Sequence, residues 1–163
     1  MRNVNELTDY ISALNGLFDK KLEVGIISKA SDPVEDAEGL YEGGKMTLGE
    51  LAWLHEFGAG YMPARSIVQA PLESEEARKI VEDTLATALT WEQLKKSNGQ
   101  ELVLDRIGKK LVSLLQRWYR TGGDGTWEIL SEDYEERKVR AGYSETPLHT
   151  TGQIGDAFEY RIE

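Results

Sequence analysis

The sequence predicts an α+β fold, a small antiparallel sheet packed against several helices, with a long acidic loop. Three observations predict it. Apolar residues recur at helical spacing in four separate stretches, they alternate with a period of two in only two short stretches, and residues 31–44 keep neither period.

Val4, Leu7, Ile11, Leu14 and Phe18 fall at three- and four-residue steps, so 4–18 reads as an amphipathic helix with that apolar face. Leu22, Val24 and Ile26 alternate with Glu23 and Gly25, which predicts a strand over 22–28. From Ser31 to Gly44 the chain carries Pro33, three glycines and the acids Asp32, Glu35, Asp36, Glu38 and Glu42, with no base. Such a composition cannot bury a face of its own, and a mobile loop over about 29–46 follows. Thr47-x-x-Glu50 has capping-box spacing before Leu51 and Leu54, which starts a helix near 48 that stops at Gly58.

Ser74 opens a helix whose period runs from Ala77 to Leu94, and Asn98-Gly99 breaks it. The next helix, over about 102–120, carries Ile107, Leu111, Leu114, Leu115 and Trp118 on one face and ends in Thr121-Gly122-Gly123-Asp124-Gly125, an ordinary turn. Acids early and bases late make 131–140 a helix that suits its own dipole, with Ser131 as cap. Phe158, Tyr160 and Ile162 alternate with charged residues, which predicts a terminal strand beside the first one. The four tryptophans, Trp53, Trp91, Trp118 and Trp127, read as core residues.

At 163 residues the chain is expected to form one domain, 1–163, with an adequate core. The longest uncharged stretch, Thr146 to Gly155, is ten residues and polar, so no spanning segment is expected, and the N-terminus lacks the pattern of a secretory signal. Zero cysteines exclude disulfides and thiolate chemistry and suit a reducing cytoplasm. Lys plus Arg number 19 against 29 Asp plus Glu, a net charge of −10, which argues against a surface that coats nucleic acid.

Few residues point to catalysis. His55-Glu56 resembles the opening of a zinc-protease helix, but the second His should stand at 59, where the chain has Ala59. The other histidine is His149, and two histidines give no metal site; no cofactor is expected. A basic stripe is more distinctive. Arg106, Lys109, Lys110, Arg117 and Arg120 share one side of a helix at ~100° per residue, and such a stripe is either a solvated face that contributes little or one that meets an acidic patch of the same fold, an acidic neighbouring subunit or nucleic acid.

Two stretches together resemble a known family. The first is Leu51-Ala52-Trp53-Leu54-His55-Glu56-Phe57-Gly58, followed by Met62-Pro63-Ala64-Arg65-Ser66-Ile67-Val68. The second is Trp127-x-x-Leu130-Ser131-x-x-Tyr134-x-x-x-Lys138, then Pro147-Leu148-x-x-Thr151-Gly152-Gln153-Ile154 and the closing strand. In order and spacing they resemble the virion-morphogenesis proteins of tailed bacteriophages, the neck and tail-completion family also described as minor tail components. Met62 and Ser66 depart from its usual Ile and Pro. Pro63 keeps Met62 extended, Gly58 lets the chain reverse, Arg65 offers a planar fork for a carboxylate, and Thr151-Gly152 turns into the last strand.

The resemblance implies a structural virion protein rather than an enzyme. It implies a homo-oligomeric ring, commonly a hexamer, at the head–tail junction, between head connector or closure proteins and tail tube or terminator proteins. DNA would pass through the lumen without specific binding, and assembly would begin in the bacterial cytoplasm. A ring of head-to-tail copies needs two complementary patches per chain. The basic stripe with Arg65, and the loop acids Asp32, Glu35, Asp36, Glu38 and Glu42, are candidates for that pair or for a DNA-facing surface. A tail terminator or a head-closure ring fits the same features. A small hydrolase using His55 or His149, and an acidic regulatory protein, are the readings from other classes.

Overall fold

The computed structural model describes residues 4–34, 46–60, 62–94, 96, 98–143, 145, 147–148 and 152–163, without the side chains of 4–7, 18, 91 and 94. In chain order these form α1 (Val4–Phe18), β1 (Leu22–Gly25), α2 (Leu48–Phe57), α3 (Gln69–Glu73), α4 (Glu75–Ala88), α5 (Trp91–Leu94), α6 (Gly99–Arg120), α7 (Glu132–Arg140), α8 (Gln153–Ala157) and β2 (Glu159–Ile162). The fold is α+β. β1 and β2 pair antiparallel with Leu22 opposite Ile162 and Gly25 opposite Glu159, so the two ends of the chain close the sheet.

Helix α6 is the spine. Its long apolar face buries Val103, Leu104, Ile107, Leu111 and Leu114 against α1, α4 and the sheet, and Leu115 and Tyr119 against α2 and α8. A two-stranded sheet is marginal by itself, and here packing on α6 stabilises it. The approach is close at Gly108, where a Cβ would overlap the Tyr160 ring. Tyr160 also donates its hydroxyl to Asp105 of α6.

Several elements differ from the sequence reading. On α1 the face turned inward is Tyr10, Ala13, Leu14 and Leu17, with Leu17 buried and Ile11 49% exposed, because Tyr10 reaches α4 to donate to the Leu89 carbonyl at 3.3 Å. β1 ends at Gly25 rather than 28: the Glu159 carboxylate takes the backbone N–H groups of Ile27 and Ser28, which would otherwise extend the ladder. The helix predicted to Leu94 stops at Ala88, and Trp91–Leu94 is a separate turn. Gly99 does not interrupt but begins α6. Ser131 precedes α7 without a side-chain cap bond. The short helices α3 and α8 have too few residues to show a period.

Of the loop over 29–46, residues 28–31 form a turn, and the excursion is pinched where Pro33 bridges Thr47. There Val34 N–H donates to the Met46 carbonyl, and Leu48 N–H to that of Asp32, both at 2.9 Å. The remainder, with Glu35, Asp36, Glu38 and Glu42, lies outside the described residues, as do His149 and Thr151.

Candidate functional site

The two stretches that carry the family resemblance fold against each other. The capping box predicted at the start of α2 is formed in full: Glu50 N–H donates to Thr47 Oγ1 at 3.2 Å, and Thr47 N–H to Glu50 Oε2 at 2.8 Å. At the other end, Gly58 N–H donates to the Leu54 carbonyl, and Gly58 adopts φ 72°. A Cβ there would stand 2.8 Å from the Met62 carbonyl oxygen and 2.9 Å from Ala64 N, so the close reversal requires glycine. Pro63 is half-buried and Ala64 exposed in the returning segment.

Glu56 ties this reversal to α3. Its carboxylate accepts the backbone N–H groups of Ile67, Val68 and Gln69 at 2.8, 2.9 and 3.1 Å, and the Ser66 hydroxyl as well. Ser66 Oγ in turn accepts Ala70 N–H at 2.8 Å. Together they satisfy the free donors that open a helix, a task usually done by a residue just before it. The Ser66 hydroxyl thus serves the Glu56 carboxylate and the first turn of α3 at once. The sequence signal for α3 was Pro71, suited to a first helical turn, following Ser66.

Arg65 is turned inward. It is 6% exposed, and its Nε and one terminal nitrogen donate to the Glu128 carbonyl at 3.4 and 3.1 Å, which joins the first stretch to the second. The expectation that Arg65 lies on a subunit or DNA-facing surface is therefore corrected: its fork fixes a backbone carbonyl inside the fold. Trp118 Nε1 adds a second tie, donating to the Ser66 carbonyl at 3.0 Å.

Three basic groups gather here. His55 is 5% exposed and Lys138 1%. Burial, with the Arg65 charge in support, holds the His55 imidazole down at about 4, so it is neutral at pH 7. The same two causes bring Lys138 down to about 8. Arg65 is itself pulled down by burial, against the raising effect of Glu128 and Tyr134. Tyr134 is half-buried on α7, with the Arg137 guanidinium 5.6 Å over its ring. Among the described residues His55 Nδ1 and Trp127 Nε1, both buried, meet no hydrogen-bond partner.

Trp127 packs edge-on to Tyr119 at 6.3 Å, as core. Trp118 is half-buried. Trp53 departs from the core expectation: it is 58% exposed, its ring tilted against that of Phe57 at 5.5 Å, and Phe57 is equally exposed. On α2 the inward side is taken by Leu48, Leu51 and His55, leaving the aromatic pair outward. Gly152 is left-handed at φ 80°, but it opens α8 before the last strand rather than turning straight into it.

The basic stripe forms as spaced, and all five residues are exposed. Its charges are largely engaged within the chain. Arg117 donates two bonds of 2.6 Å to the Glu76 carboxylate of α4 and lies 3.4 Å from Asp124. Lys109 pairs with Asp105 at 2.8 Å, Lys110 donates to buried Thr84 at 2.9 Å, and Arg120 Nε donates to the Gln116 carbonyl. Of the loop acids only Asp32 is described, exposed at the bridged base of the excursion. The loop and stripe are thus not brought together among the described residues, and no group of three or more His, Asp or Glu there could hold a metal. No described helix is long and apolar enough to cross a membrane. Comparison with known proteins finds no matching family model, no curated relative and no similar solved structure.

Proposed function

We propose that this chain is a non-enzymatic structural subunit of a tailed bacteriophage particle, one copy in a ring at the head–tail junction that completes or joins the tail. The observation that carries the reading is the union of the two resembling stretches: Arg65 of the first grips the Glu128 carbonyl beside Trp127 of the second. Residues far apart in sequence whose spacing resembles one family thereby form one physical unit. The unit presents apolar surface. Trp53 and Phe57 stand outward as a pair, and Ile129, next to the gripped carbonyl, is 83% exposed. Large exposed apolar side chains suit an interface between subunits.

In this reading α2 supplies one of two complementary docking patches, and repeated head-to-tail docking closes a ring between connector and tail proteins. The internal pairing of Arg117 and Lys109 leaves less net cationic surface for phosphate contact, which suits DNA passing through a lumen without being held. Light scattering of the purified chain tests the proposal. A closed oligomer is expected, and Trp53→Ser with Phe57→Ser should reduce it to monomer while leaving the circular dichroism unchanged. A wild-type chain that stays monomeric at all concentrations, and is absent from purified particles, would overturn it.

A further inference from the structure

Helix α7 is buried the wrong way round for an element of the core. Its one buried side chain is Lys138, 1% exposed, while its one aliphatic residue, Val139, is 46% exposed. Tyr134 and Glu135 are half-buried, and the rest of the helix is exposed. Among the described residues no other helix or strand packs closely along it. The polar contacts of its exposed side chains stay within α7: Arg137 Nε donates to the Asp133 carbonyl at 3.2 Å, its guanidinium lies over the Tyr134 ring, and Arg140 stands 3.9 Å from Glu136. Little apolar area therefore docks this helix. Nine residues are also too few to stay helical in water without a surface to pack on.

The inward side of α7 covers Arg65. Tyr134 and Lys138 both lie near enough to exchange electrostatic effects with its guanidinium, and burial disfavours the charge on both cations. The two ends of the segment differ from the middle. Before α7 the chain is fixed as far as Glu128, whose carbonyl Arg65 grips, and Ile129 and Ser131 are then exposed. After it, Gly142 turns at φ 88° in open space, where a Cβ would meet nothing within 4 Å. Residues 129–142 thus lie between a firm anchor and a free glycine joint.

We propose that α7 is a latch over Arg65: residues 129–142 swing away and melt as one unit while the core on α6 stays folded. Closed, the latch keeps the Arg65 guanidinium and the Lys138 ammonium out of water, and open, it turns both to solvent. The latch stands apart from the ring reading, since it rests on how α7 is buried and not on the outward aromatic pair of α2.

Amide hydrogen exchange of the wild-type chain at pH 7, followed by NMR, tests it. The amides of Glu136 to Arg140 should share one protection factor to within about threefold, roughly a hundredfold below that of the Val103–Leu115 amides of α6. Lys138→Ala removes the one buried side chain of the latch, and it should speed α7 exchange by a further factor of about ten while α6 stays within about twofold of the wild type. Three results would overturn the proposal. The first is α7 amides as slow as those of α6. The second is protection that falls off smoothly toward the ends of α7, which is fraying and not the opening of a unit. The third is a Lys138→Ala chain in which both helices speed up alike, which would make α7 part of the common core. The first two are read on the wild type and need no variant to fold.

Discussion

The two halves of the core are built on different chemistry. Where α1 and α4 pack on α6, the buried side chains are Leu17, Ala77, Ala88, Val103, Leu104, Ile107, Leu111 and Leu114, with the uncharged Thr84, which accepts from Lys110, among them. Around α2 and residues 65–68, by contrast, Ile67, Leu115 and Trp127 share the interior with His55, Arg65 and Lys138. The first half gains stability from area removed from water and depends little on pH. The second must keep basic groups out of water and positions them through single hydrogen bonds, so its stability depends on protonation and on exact backbone reversals.

The contrast can be broken most severely in the apolar half. Leu114→Ala should cost about 3 kcal/mol, equally at pH 5 and pH 8, by urea denaturation. The other half should respond to acid. Because the folded-state His55 titrates near 4 and an unfolded histidine near 6.5, the unfolded chain takes the proton first. Stability therefore falls as pH drops from 6.5 to 4, and His55→Gln should remove a component of about 3 kcal/mol from that fall when the two denaturation series are subtracted. Gly58→Ala forces a left-handed alanine against Met62 and should cost about 2 kcal/mol, read as a lowered midpoint. Arg117→Ala breaks an exposed pair, with both side chains more than two-fifths accessible, and should cost below about 1 kcal/mol and less in high salt.

Periodicity made the first half legible. The α6 face, the boundaries of α1 and α2, the capping box and the pairing of terminal strands all follow from local pattern or short-range bonds. The face of α1 did not, because Tyr10 is both apolar and a donor, and its reach to Leu89 is a tertiary fact. Trp53 and Phe57 look like core by composition, yet a helix of ten residues has room for one inward side, and Leu48, Leu51 and His55 occupy it. Arg65 was visible as a fork able to hold an oxygen, but which oxygen depends on a carbonyl 63 positions away. Glu56 was visible as part of a motif and not as a cap, since its partners lie 11 to 13 residues on.

That last contact has a mechanical side. The Glu56 carboxylate couples the end of α2 to the start of α3, and α3 leads through Ser74 directly into α4 on the spine helix. A pull on the outward aromatic pair, one turn or less from Glu56, would be carried along this short polar link into the body of the molecule instead of bending the glycine reversal at 58. An element so anchored can bear load.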